Sequence, residues 1–348
     1  MCDCSDGWRA AQTAPHPVER EAVDPIVLAP VDEVRVTSLM ENVYDGLLPD
    51  GPHVSRAGLN SGHEPAPQFI DGTALVGLRA EHGFSVLVTV RRGNHTATVL
   101  FDAGTSPNGI IVNADRLGVD LTAIQGIVLS HGHFDHIGGL AGLAERLPRS
   151  GMPLTIHPYA WTPRRLALEG SELRFPVLDK AVLAAEGFEV IERRVPSVIV
   201  DGCVLVTGEI DRTTEFELGM PPPHQAWDGA DWRHDPLVVD DQALVVNVRD
   251  QGLVVITGCG HAGVVNIARH ALRLTGQRRL AALIGGFHLG GPAFEPIIAP
   301  TVAALQELAP DLIVPGHCTG WRAQHALQAA LPDAWVQCSS GSTFRLSA

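Results

Sequence analysis

The 348-residue sequence predicts an α/β fold, a four-layer αββα sandwich of two mixed β-sheets with helices outside, on three observations. Strand patterns dominate residues 33–102 and return between 171 and 250. Elsewhere strands alternate with helices, an arrangement that buries its apolar stripes only when helices cover sheet faces. Near the C-terminus three units each run from an apolar strand through glycine and histidine into a helix. Histidines therefore collect at strand ends, the rim where open α/β sheets gather their sites.

The elements follow in order. Residues 1–32 are rich in Pro, Ala and acidic side chains without hydrophobic periodicity and read as a mobile tail; residues 33–348 read as a single domain. "EVRVTSLM" (33–40) alternates as a strand, and a Gly/Pro/His-rich loop follows it. "TALVGLRAEHGFSVLVTVRRGNHTATVLFDAG" gives three strands with turns at "EHG" and "RGNH". "SPNGIIVNADRLGVD" is helical, "AIQGIVLS" a buried strand, "GGLAGLAERLP" a helix and "MPLTIHP" a strand. Strands return in "FEVIERR", "PSVIVDGCVLVTGEI" and "QALVVNVRD". Between the last two lies a lid-like insertion at about 211–236, too long and too rich in Pro and Trp for an ordinary connection. It is either a lid over a site or a solvated elaboration, and as a lid its Trp227 and Trp232 would stack on a planar substrate. The closing units are "GLVVITGCGHAG" with helix 263–275, "LAALIGGFHLGG" with helix 296–308, and "DLIVPGHCTGW" with helix 321–331.

Composition narrows the partners. A net charge of -14, with no Lys/Arg cluster longer than a pair, would repel a phosphate backbone, which weighs against nucleic acid. Nothing approaches the ~18 consecutive apolar residues of a membrane span. The first residues lack the basic-then-apolar pattern of a signal peptide, so a cytoplasmic protein acting on a small molecule is expected. The six cysteines, at 2, 4, 203, 259, 318 and 338, suit neither a disulfide scaffold nor paired zinc knuckles. "GTSPNG" is not a phosphate-cradling P-loop.

"HGHFDH" puts His131, His133, Asp135 and His136 in the turn between a strand and a helix. There His131 and His133 can face one point while Asp135 and His136 face a neighbouring one. Two points imply two divalent metal ions, zinc first, with manganese or iron as alternatives. Gly132, Gly138 and Gly139 would let the backbone turn tightly around them. His157, His224 and His234 have no ligand partners at useful spacing and fit surface or lid positions.

At this motif the sequence resembles the metallo-β-lactamase superfamily, whose signature HxHxDH it matches in full. "AEHGFSVLV", "LFDAGTS", "DDQALVV", "TGCGHAGVVNI", "IGGFHL" and "PGHCTGW" are similar to the branch of dihydropterin ribofuranosylaminobenzene phosphate synthase. The resemblance implies that His131, His133 and His261 hold one metal, and that Asp135, His136 and a late histidine hold the second. His317 is favoured as that late ligand by chain order; His288 is the alternative, otherwise standing beside the ligands or facing substrate. Asp135 and His288 are thereby candidate catalytic residues. Asp102 matches the Asp that orients the ligand loop, and Asp240 and Asp241 are either functional or an acidic turn. Where many members carry a bridging Asp, this chain has Cys259, either a thiolate ligand or a small packed residue.

A dinuclear site activates water and polarises a carbonyl or phosphoryl oxygen. The expected activity is hydrolysis of a small phosphate-, lactone- or ester-bearing molecule by metal-bound hydroxide. The branch resemblance supplies an alternative, a transferase that condenses a dihydropterin methyl diphosphate with an aromatic ribose phosphate and releases diphosphate. A non-catalytic metal-binding module ranks lower.

Overall fold

The computed structural model describes residues 24–59, 61–148 and 151–348. An eight-stranded sheet has the order Phe188–Glu192, Met152–Ile156, Ile127–Val128, His95–Phe101, Ser85–Arg92, Glu33–Met40, Thr343–Ser347, Val54–Ser55. A six-stranded sheet runs Ser197–Ile199, Val204–Val206, Ala243–Val248, Gly252–Thr257, Leu280–Gly286, Leu312–Gly316. Period-two patterning lets each sheet serve two layers, because successive side chains point to opposite faces. Val86, Val88 and Val90 join Val204, Val206, Leu244, Val246, Val254 and Ile256 in the core between the sheets.

The alternate residues face outward. Leu87 and Leu100 pack with Ile110, Ala114, Leu140 and Leu143 of the helices Gly109–Leu117 and Leu140–Arg146. Leu205, Val245, Leu253 and Val255 pack with Val265, Ala268, Leu305 and Leu327 of the helices Val264–Thr275, Ile298–Leu308 and Trp321–Ala330. Three apolar clusters thus separate four layers, as the αββα reading requires.

Residues 1–23, which include Cys2 and Cys4, lie outside the described residues. Residues 26–31, expected as the end of a mobile tail, are instead docked: Ile26 N donates to Leu274 O (2.7 Å), Ala29 N to Gly202 O (2.9 Å) and Val31 N to Asn247 O (2.9 Å). Leu28 and Val31 are buried, and their apolar side chains explain the docking.

The segment 211–236 does not stand as an insertion on its own. Its strands His224–Trp227 and Trp232–His234 join Arg164–Leu168 and Ser171–Arg174 in a four-stranded sheet. Leu166 pairs with His224 across that sheet. Trp227 and Trp232 meet edge to face at 5.5 Å, and the Arg165 guanidinium covers Trp232 at 4.6 Å. The tryptophans are thus engaged with one another and with arginine, and neither lines the cavity described below; they do not form the expected stacking surface.

Candidate metal centre

The strand ends Val128, Thr257, Gly286 and Gly316 converge on one rim and deliver the HGHFDH turn, His261, His288 and His317. His288 and His317 have φ of 44° and 48°, and Asp102 has 62°. Left-handed backbone at three non-glycine residues around one site costs energy that the surrounding packing has to offset. The glycines serve close approach rather than turning. A Cβ at Gly132 would strike the Ala160 carbonyl, at Gly138 the Thr105 carbonyl, and at Gly139 the Ala103 carbonyl, while none of the three has positive φ.

His131, His133 and His261 form one group of potential metal donors, and Asp135, His136, Cys259 and His317 a second; Cys259 also groups with His261 and His288. His261 Nε2 lies 3.2 Å from His131 Nε2 and 3.1 Å from His133 Nδ1. All the members of the first two groups are buried.

Outer hydrogen bonds decide which nitrogen of His131, His133, His136 and His317 faces inward. Asp102 accepts from Ser130 N (2.6 Å), Ser130 Oγ (2.7 Å) and His136 Nδ1 (2.7 Å). With its hydroxyl proton given to Asp102, Ser130 Oγ accepts from His131 Nδ1 at 2.8 Å. His131 and His136 therefore carry protons on Nδ1 and turn Nε2 into the centre. His317 Nδ1 donates to Asn42 Oδ1 at 3.1 Å, which likewise leaves its Nε2 inward. Such outer partners orient metal-binding imidazoles and fix their tautomers.

His133 takes the opposite orientation through a residue that sequence reasoning placed on a surface or lid. His224 is fully buried. Its Nδ1 donates to the Asp235 carbonyl at 2.9 Å, so its bare Nε2 accepts from His133 Nε2 at 3.0 Å. His133 then offers Nδ1 to the first group. Arg164, also buried, donates to Asp235 Oδ2 (3.1 Å) and Asp240 Oδ2 (3.1 Å), and Asp240 Oδ2 accepts from Gly132 N (2.8 Å). The small sheet is thereby wired to the donor loop. Asp240 and Asp241 act as supports here, Asp241 Oδ2 accepting from Ala262 N at 2.8 Å beside His261. Arg212 donates to the carbonyls of His261 and Ala262, both at 3.3 Å.

The donor set fits transition-metal ions. His131 Nε2 and His133 Nδ1 carry no proton and lie 3.2 and 3.1 Å from His261 Nε2, so three ring nitrogens converge on one point where a cation could take all three as donors. Buried His317 Nε2 has no hydrogen-bond partner, although Asp135 Oδ2 is 3.2 Å away. Burial pushes His131, His133 and His261 well below the usual histidine range, which keeps them neutral as donors. Burial also acts to raise Asp135, but the facing His136 and His317 reverse this and hold its carboxyl well below the usual range. For His317, burial is outweighed by the Cys318 sulfur and the Asp135 carboxylate, and its pKa is raised to about 9. Burial pushes the Cys259 thiol well above its normal range, so only a metal would render it a thiolate. Its Sγ lies 3.2 Å from His136 Nε2. His288 packs at 4.2 Å from the His261 ring and at 4.6 Å against Phe294, with a buried, unpartnered Nδ1.

Above the donors is a cavity of about 430 Å³. Phe134, Leu166, Leu173, Phe175 and Met220 contribute its apolar lining, and His82, Asp135, His261, His288 and His317 its polar lining. His82 is a second residue that sequence reasoning passed over; it sits in "AEHGFSVLV", a segment noted for its turn at "EHG" and for its resemblance.

Among known proteins, the chain is 27% identical to 7,8-dihydropterin-6-methyl-4-(beta-D-ribofuranosyl)-aminobenzene-5'-phosphate synthase of Methanocaldococcus jannaschii, over 76% of this chain and 90% of that protein. It is 29% identical to an uncharacterized protein of the same organism, over 73% of this chain and 90% of the relative. The crystal structure of Tm1679, described as a metal-dependent hydrolase of the beta-lactamase superfamily, superposes with a TM-score of 0.67 at 26% identity, covering 90% of this chain and all of that one. The pattern of the metallo-beta-lactamase superfamily matches residues 78–267, more than half of the chain. With the four layers and the rim of donors already in place, the chain belongs to the metallo-beta-lactamase superfamily.

Proposed function

We propose that the protein is a dinuclear metal-dependent hydrolase of a small molecule with an apolar body and one phosphoester, lactone or ester group. The observation that carries this reading is the juxtaposition of two buried donor groups at the floor of a largely apolar cavity. His131, His133 and His261 would hold one ion, and Asp135, His136 and His317 the other, zinc being favoured by this imidazole-rich set over manganese or iron. Bound there, the ions supply Lewis acidity and an activated water. Cys259 stands between the groups where many relatives place a bridging carboxylate, and His288 faces the substrate side.

The protein's own residues do the rest. Ser130, Asp102, Asn42 and His224 hold the donor rings in their tautomers, so little reorganisation accompanies the reaction. Phe175, Leu166, Leu173 and Met220 exclude water from one side of the cavity and receive the apolar body.

The similarity to the synthase supports a second reading, a transferase releasing diphosphate. The cavity favours hydrolysis instead: none of the described residues lining it is lysine or arginine, the usual partners of a diphosphate. The test is a screen of phosphomonoesters, phosphodiesters, lactones and thioesters against protein loaded with zinc, manganese or iron. Metal-dependent hydrolysis, abolished by chelation and restored by re-addition, supports the reading. Diphosphate release from the pterin substrate, with none of the esters cleaved, replaces it by the second.

A further inference from the structure

We propose that His82 is a substrate-binding residue, presenting its Nε2–H to an anionic oxygen of the reacting group. The inference deepens the hydrolytic reading and rests on it for the identity of that group. His82 lines the cavity, stacks on the His317 ring at 5.0 Å with an interplanar angle of 28°, and places Nε2 3.4 Å from Asp135 Oδ2.

Asn42 determines where the His82 proton sits. Its Nδ2 donates to the His317 carbonyl at 3.0 Å, and because a carbonyl only accepts, this contact fixes the amide orientation. Oδ1 then receives the His317 Nδ1 proton, and the second Nδ2 hydrogen faces His82 Nδ1 at 3.3 Å. His82 Nδ1 is thereby an acceptor, and the neutral ring carries its proton on Nε2, beside the second donor group. Hydroxyl, lysine and arginine side chains are missing from the described residues that line the cavity, so imidazole N–H groups, His82 Nε2–H among them, are with the Cys259 and Cys318 thiols the side-chain hydrogen-bond donors offered to an incoming oxygen.

The turn that carries His82 is held firmly. The Glu81 carboxylate accepts from Thr105 N and Ser106 N, both at 2.9 Å, and the Thr105 hydroxyl donates to the His82 carbonyl. Glu81 N donates to Glu41 O at 3.1 Å. At Gly83 a Cβ would come within 2.8 Å of Thr105 N, so the turn is pressed directly onto the loop after Phe101. A donor held in advance at an anionic oxygen loses little freedom on binding.

The test uses zinc-loaded protein, inorganic phosphate as the probe, titration calorimetry, and elemental analysis of the same samples. His82→Phe keeps a ring against His317 but removes the N–H, whereas His82→Gln restores an amide N–H. Phosphate affinity is expected to fall about tenfold or more in His82→Phe, as for loss of a hydrogen bond to a charged group, and to recover in His82→Gln, with metal content unchanged in both. Wild-type phosphate affinity in His82→Phe, or no phosphate affinity in the zinc-loaded wild type, overturns the proposal. Metal loss in step with affinity in both variants also overturns it, making His82 a support for His317. Because phosphate binding needs no turnover, the expected result beside a failed hydrolysis screen would leave the subsite standing and remove only the hydrolytic reading.

Discussion

Replacing His224 with leucine breaks two hydrogen bonds in the outer layer of the centre, to the Asp235 carbonyl and to His133, and leaves every proposed ligand in place. In the native arrangement the Asp235 carbonyl takes the His224 Nδ1 proton, and His224 Nε2 takes that of His133. Leucine fills similar space but strands the buried His133 Nε2–H. An unsatisfied buried donor costs about 1–3 kcal/mol, and His133 can escape that cost only by moving its proton to Nδ1, where it blocks the metal. The first metal should therefore bind about 10- to 100-fold more weakly, the range typical for loss of an outer-layer partner. Competition against a chromophoric chelator measures this directly. His224→Gln, whose carboxamide oxygen can accept from His133, should retain more affinity than leucine. Equal affinity in wild type and His224→Leu would refute the tautomer argument, and with it the claim that the small sheet helps to build the centre.

Three further outcomes are expected. His317→Ala should lose the second metal, whereas His288→Ala should keep both and impair turnover; metal analysis giving the reverse order would exchange their roles. Because the His317 pKa is raised from 6.5 to about 9, its contribution to the stability of the metal-free fold is full below pH 6.5 and lost as pH rises through about 9. The same proton competes with the second metal, whose affinity should climb with pH and level off above about 9, with proton release detectable by calorimetry in buffers of different ionisation enthalpy; a flat affinity between pH 7 and 9 rules this out. Arg164→Met strands the buried carboxylates of Asp235 and Asp240 and should destabilise the protein by about 3–5 kcal/mol, read from urea unfolding; a loss well under 1 kcal/mol would show that water reaches these groups.

What was legible in the sequence followed from local pattern. Val86, Val88 and Val90 alternate with outward Leu87, and this period alone distinguishes the inner core from the outer one. The HGHFDH run was legible because four ligand-type residues in six positions have few other uses in a buried turn. His261, His288 and His317 were legible from their repeated place at strand ends. His224 and His82 were not, since their roles depend on distant pairing: His224 reaches His133 only because its strand pairs with Arg164–Leu168, and His82 gains its orientation from Asn42 and His317. The tryptophans misled for the same reason. Their chemistry suited a planar ligand, but Arg165, brought over Trp232 by the same small sheet, occupies that face.

The central claim is that two metal ions sit side by side on one rim, held by six buried ligands, four of whose imidazole tautomers the fold prepares. Elemental analysis of protein purified without chelator from zinc-, manganese- and iron-supplemented cells tests it most directly. The account predicts two transition-metal ions per chain, falling to one in His317→Ala. A protein that remains metal-free under all three supplements, or a His317→Ala variant that still holds two ions, would contradict it.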